Sequence, residues 1–121
     1  MAGKILLIDD NEQDLKIMKR YLSPLGFDEI LMAETGEQGL ELAKTEQPDI
    51  VITDTQMPGV DGFEVCQKIK EAGLESKVII ITGHIDAVDA VKAIKMGAAD
   101  YCVKTDDYDF LLQAVKGQMS A

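Results

Sequence analysis

The amino-acid sequence predicts one α/β domain, a three-layer (βα)₅ doubly wound parallel sheet covered by helices on both faces, and three observations lead there. Short runs of apolar, largely β-branched residues recur along the chain, and segments with apolar residues three or four positions apart separate them. The runs are nearly continuous in apolar character instead of alternating, as expected for strands buried on both sides. Alternation of the two kinds of segment is the pattern of strand–helix–strand crossovers, whose right-handedness makes the sheet parallel.

In chain order, residues 4–8 form the first strand, and Leu15, Met18, Leu22 and Leu25 mark the helix after it. A weaker strand covers residues 28–33, followed by a helix from Gly36 through Leu40 and Ala43 that ends before Pro48. Residues 49–53 form the third strand, and Val65, Ile69 and Ala72 recur at helical steps before Gly73. The fourth strand spans 77–81, with Ala87, Val91 and Ile94 marking a helix closed by Gly97. The fifth spans 100–103, followed by Leu111, Leu112, Val115 and Met119 on a last helix, with residues 117–121 expected to fray.

A length of 121 residues suits one domain spanning 1–121, with no linker or repeat. No stretch approaches the roughly 20 apolar residues that cross a bilayer. Asp9 and Asp10 cut the N-terminal apolar run too early for a secretory signal, so a cytoplasmic protein is expected. Cys66 and Cys102 lie in no metal-ligand pattern and read as buried thiols. A net charge of −10, from 22 acidic against 12 basic residues, argues against direct nucleic-acid contact and points to proteins and a small cation as partners.

Open parallel sheets bind ligands outside the carboxyl ends of their strands. Asp9 and Asp10 follow the first predicted strand, Asp54 the third, Thr82 the fourth and Lys104 the fifth, so all five are expected at one edge. Carboxylates crowded in a partly dry cleft repel, and such clusters persist where a hard divalent cation holds them or one carboxyl stays protonated. Mg²⁺ suits an oxygen shell of one or two carboxylates, waters and a phosphoryl oxygen. Lys104 offers a point charge to the same oxygens and Thr82 a hydroxyl donor, a combination that stabilises a transferring phosphoryl group by charge and position. Asp54, alone at the end of the central strand, is the candidate nucleophile and would yield an aspartyl phosphate.

The pieces that carry these residues are 5–10 (ILLIDD), 51–62 (VITDTQMPGVDG), 78–82 followed by Gly83, and 97–104 (GAADYCVK). In order and spacing they resemble the receiver domain of bacterial two-component response regulators along almost the full chain. The expected architecture is accordingly flavodoxin-like, with strand order 2-1-3-4-5. The resemblance implies Mg²⁺ held by Asp9, Asp10, Asp54 and the backbone carbonyl of Gln56, and phosphorylation of Asp54 by a histidine kinase or histidine phosphotransfer protein. Thr82 and Lys104 would read the phosphoryl group, and Tyr101 would change rotamer with Thr82. Gln56 and His84, two positions beyond Asp54 and Thr82, would tune how quickly water removes the phosphoryl group. Members of the family are switches, not metabolic enzymes, although they catalyse their own phosphorylation from small donors and slow dephosphorylation. A downstream protein or fused output domain would read a surface of residues 85–95, 101–103 and 108–119, through which two receivers also pair.

Blander roles remain open at several positions: helix capping for Asp9 and Asp10, an ordinary strand end for Thr82, a half-buried core side chain for Tyr101, a solvent-facing loop for His84. Where the family has proline after its lysine, this chain has Thr105, so the geometry of that peptide bond is open. The following acidic loop, with Asp106, Asp107 and Asp109, reads either as solvated surface or as a contact for a basic patch. Two other functions fit the fold class: a receiver-like interaction module indifferent to phosphorylation, and a flavin carrier. The acidic turn Asp9-Asp10-Asn11-Glu12 would be a poor cradle for a flavin phosphate.

Overall fold

A computed structural model describes residues 3–119. Five parallel strands, β1 (Lys4–Ile8), β2 (Glu29–Ala33), β3 (Ile50–Asp54), β4 (Lys77–Thr82) and β5 (Asp100–Val103), form one sheet in the order β2-β1-β3-β4-β5. Five helices alternate with them: α1 (Glu12–Leu22), α2 (Gly36–Glu46), α3 (Gly62–Glu71), α4 (Ala87–Lys95) and α5 (Asp109–Met119). Each strand begins and ends within one residue of its expected bounds. Asp54 and Thr82 prove to be the last residues of β3 and β4 instead of the first residues beyond them.

Successive side chains of a strand point to opposite faces, so the continuous apolar runs feed two cores. On one face Ile5, Leu7, Ile52, Ile79 and Ile81 pack with Leu15 and Met18 of α1 and Leu111 and Val115 of α5. On the other, Leu6, Ile8, Val51 and Ile80 meet Ala43 of α2, Val65 and Ile69 of α3 and Ala93 of α4. Each fully covered Ile or Leu contributes about 1.5–3 kcal/mol relative to exposure, so β1, β3 and β4 anchor the domain. Cys66 and Cys102 are free and buried, and burial pushes the Cys102 thiol up to about 12, leaving both as small hydrophobes.

Helix starts are fixed by side-chain caps. Asn11, Thr35, Asp61 and Asp86 accept backbone N–H bonds from Asp14, Gln38, Glu64 and Val88 at 3.1, 3.0, 2.9 and 2.8 Å. Asn11 therefore caps α1, which removes that role from Asp9 and Asp10. A Cβ at Gly62 would collide with the carbonyl oxygen of Asp54, so glycine there lets α3 begin directly against the end of β3. The last helix corrects one expectation. Residues 117–119 are helical, not frayed, because Met119 packs on the α1/α5 core; the expectation for Ser120 and Ala121 lies outside the described residues.

Candidate functional site

Parallel register brings four strand ends to one edge, where Ile8 pairs with Ala33 and Thr53, Asp54 with Ile81, and Thr82 with Val103. An open cleft of about 890 Å³ lies there, lined by Asp9, Asp10, Asp54, Gln56, Thr82, His84 and Lys104 among others. Asp9 is wholly buried, and its backbone N–H donates to the Ala33 carbonyl at 3.1 Å. Asp10, next in sequence, is exposed, and Asp54 is half-buried. Each of these three residues offers a carboxylate oxygen within 4.8 Å of the others.

Lys104 reaches into the cluster from the end of β5, its backbone N–H bound to the Thr82 carbonyl at 2.7 Å. Its Nζ lies 2.7 Å from Asp9 Oδ2, 2.8 Å from Asp14 Oδ2 and 3.6 Å from Asp54 Oδ2. One ammonium among four nearby carboxylates leaves negative charge uncompensated. Burial, then the field of Asp9, pushes the Asp54 carboxyl up to about 6, against the pull of Lys104 and the Thr55 N–H. Burial also raises Asp9, offset only in part by the Lys104 hydrogen bond. Burial alone would lower Lys104, but its hydrogen bonds to Asp14 and Asp9 and the field of Asp54 outweigh that and hold it above the ordinary lysine range.

The opposite wall is built of hydroxyls. Thr82 Oγ1 donates to the His84 carbonyl at 3.0 Å and accepts from the His84 N–H at 3.2 Å and from Thr55 Oγ1 at 3.3 Å. Thr82 is thus buried with its hydroxyl already engaged, while the side chains of His84 and Gln56 are exposed at the rim. Tyr101 packs on the α2/α3/α4 side of the sheet, and its buried hydroxyl has no hydrogen-bond partner among the described residues.

Asp9, Asp10, Asp54, Gln56, Thr82, His84 and Lys104 all line this cleft, whereas Tyr101 on β5 lies outside its lining. Three contributors escaped the sequence reading. Asp14 resembles any acid in the first turn of a helix, yet it lies five positions after Asp9 on the turn that faces Lys104. Thr55 follows Asp54 and props Thr82. Tyr108 sits inside the acidic loop, where only charge drew attention, and is buried against Tyr21 with ring centroids 6.0 Å apart.

That loop has its own architecture. No peptide bond among the described residues is cis, so the missing proline is replaced by a trans Lys104–Thr105 bond. Asp107 accepts from Thr105 Oγ1 and from the Asp109 N–H, both at 3.1 Å, and Tyr108 takes a left-handed φ of 53°. Asp107 therefore bonds within the loop as well as facing solvent.

The donor set fits a hard divalent ion: all-oxygen, close-spaced and carrying excess negative charge, with open cleft for waters. Comparison with known proteins points the same way. Residues 5–116 match the model of the response regulator receiver domain. The chain is 34% identical over 104 residues to the alkaline phosphatase synthesis transcriptional regulatory protein PhoP of Bacillus subtilis, covering 86% of this chain and 43% of that one. It is 35% identical over 100 residues to the transcriptional regulatory protein AfsQ1 of Streptomyces coelicolor, covering 83% and 44%. The chain thus spans less than half the length of these curated relatives. Among solved structures, a response regulator receiver domain protein from Clostridium thermocellum superposes with a TM-score of 0.86 at 34% identity, over 98% of this chain and 94% of that one. The BeF3-activated DrrB receiver domain gives 0.87 at 32% identity over 100% of both chains. With the strand order, the acidic cleft and this match over nearly all of its length, the chain belongs to the response regulator receiver domain family.

Proposed function

We propose that Asp54 is the phosphoacceptor of this receiver and that Asp9, Asp10 and Asp54, with the backbone carbonyl of Gln56, hold the Mg²⁺ that the reaction needs. The supporting observation is the crowding of three carboxylates within 4.8 Å of one another with Lys104 Nζ 3.6 Å from Asp54. A carboxylate oxygen of Asp54 attacks the phosphorus of a phosphohistidine on a histidine kinase or phosphotransfer protein. The new P–O bond forms as the P–N bond breaks, and the imidazole leaves with the electron pair. Mg²⁺ supplies charge neutralisation of the phosphoryl oxygens. Lys104 takes the remaining oxygen charge, and Thr82 turns its hydroxyl from the His84 carbonyl toward the phosphoryl group.

Tyr101 is the second half of the switch, and its unpartnered hydroxyl supports that role. A buried donor without an acceptor costs about 1–3 kcal/mol, so the inward position is held against a real opposing force and small changes at Thr82 can redistribute it. Gln56 and His84, exposed at the rim, govern the approach of the water that hydrolyses the aspartyl phosphate. The readout surface is α4, β5 and α5, where Val88, Val91, Ile94 and Phe110 are exposed. A downstream protein or fused output domain docks there, and a second copy pairs through the same face. A charge of −10 disfavours direct contact of this domain with nucleic acid.

The test is intact-mass measurement after incubation with a small phosphodonor, with and without Mg²⁺. Wild type is expected to gain one acid-stable, base-labile phosphoryl group only with Mg²⁺, and Asp54→Asn none. No gain in wild type, or the same gain in the variant, would refute the assignment.

A further inference from the structure

Lys104 is gripped by a carboxylate that phosphoryl transfer does not require. Asp14 Oδ2 lies 2.8 Å from Lys104 Nζ, as close as Asp9 at 2.7 Å, whereas Asp54 stands off at 3.6 Å. An ammonium has three protons, and these two carboxylates take two of them. Asp14 is itself anchored: its N–H donates to the capping Asn11 side chain at 3.1 Å, and it lies near buried Tyr108, whose phenol is pushed up to about 12 by burial and then by the Asp14 charge. It stands outside the group of three carboxylates that a cation would share.

We propose that Asp14 is a positioning residue that draws the Lys104 ammonium away from Asp54 and competes with a phosphoryl group there for it, so that Asp14 sets how tightly the site holds its phosphorylated form. The inference rests on the phosphoacceptor reading above. When a phosphoryl group arrives, Asp9 shares its charge with the divalent ion and loosens its hold on Lys104. Asp14 has no such second partner and keeps pulling. Its charge also repels the phosphoryl oxygens. An uncharged side chain of the same size weakens the hydrogen bond to Lys104 and removes that repulsion together.

The experiment uses the full chain at saturating Mg²⁺ and reads half-saturation by beryllofluoride, a phosphoryl mimic, through backbone amide NMR shifts. Asp14→Asn is expected to bind about tenfold tighter than wild type, while Asp14→Glu, which retains the carboxylate, stays near wild type. Mg²⁺ affinity measured without beryllofluoride is expected not to rise in Asp14→Asn. A purely structural role would instead loosen the site and weaken both ligands. Should the Asn variant not fold, Asp14→Ser, at home in a first helical turn, serves the same comparison. Equal or weaker beryllofluoride binding in the neutral variant overturns the role of Asp14 alone. Failure of wild type to take up beryllofluoride with Mg²⁺ overturns the phosphoacceptor reading, and this inference with it.

Discussion

At the carboxyl edge of the sheet, carboxylates are crowded into partial burial around one ammonium; on α4, Val88, Val91 and Ile94 stand 75%, 53% and 73% exposed to water. In the first region charge lacks a counter-charge, and in the second apolar surface lacks cover. Neither follows from a shortage of folding material, because the two cores close without them. α3 makes the contrast plain. Its Val65, Cys66 and Ile69 fall on one helical stripe and are wholly buried, whereas α4 buries only Ala93. Two unfavourable surfaces beside a complete interior are what the proposed function calls for: a charged cleft suited to a cation and phosphoryl group, and an apolar face suited to a protein partner.

The largest effect is expected on the covered side. Ile69→Ala should lower the unfolding free energy by about 2–5 kcal/mol in urea denaturation, since a fully buried isoleucine leaves a cavity. A loss below about 1 kcal/mol would mean that Ile69 is not packed in the core as its full burial requires.

Next comes the charged cleft. A folded-state value of about 6 for Asp54 lies above its unfolded value of about 3.9, so the charged form costs stability at pH 7 by about 2–3 kcal/mol. That cost vanishes as pH falls through 6 toward 4, where the folded state binds the extra proton. Asp54→Asn should therefore stabilise the Mg²⁺-free protein at pH 7 by about that amount, with the difference closing near pH 4. A destabilised variant at pH 7 would contradict the crowding.

A smaller gain, about 1 kcal/mol, is expected for Tyr101→Phe, which removes the unpartnered hydroxyl and keeps the ring. Because the inward ring position would then be favoured without a phosphoryl group, the variant should also bind beryllofluoride with a shifted midpoint; an unchanged stability and midpoint would remove Tyr101 from the switch. The smallest effect belongs to the bare face. Ile94→Ala should change unfolding free energy by less than about 0.5 kcal/mol while weakening partner binding or self-association, whichever this face serves.

How much of this could be read from the residues follows the same division between covered and bare. β1, β3 and β4 are flanked on both sides and show unbroken apolar runs; β2 is an edge strand with exposed Glu29 and Met32, which is why its signal was weak. The site was legible because Asp9, Asp54, Thr82 and Lys104 each stand at a strand end, and topology alone carries strand ends to one edge. Asp14 was not, since a helix-start acid is favoured by the helix dipole whatever it faces. Tyr108 was hidden for another reason: its left-handed φ depends on the Asp107 turn and on packing against Tyr21, neither of which has a local signature. Nor does spacing reveal that α4 turns its valines and Ile94 outward, because periodicity defines a stripe without saying what covers it.

The carboxylates crowded at this edge carry more charge than Lys104 alone neutralises. Titration of the Asp54 side-chain carbonyl by ¹³C NMR, with and without Mg²⁺, tests this most directly. The midpoint should lie at about 6 without the ion and fall to about 4 or below when Mg²⁺ saturates the site. A midpoint near 4 that Mg²⁺ leaves unmoved would show that Asp54 feels neither the crowding nor the ion, and would contradict the account.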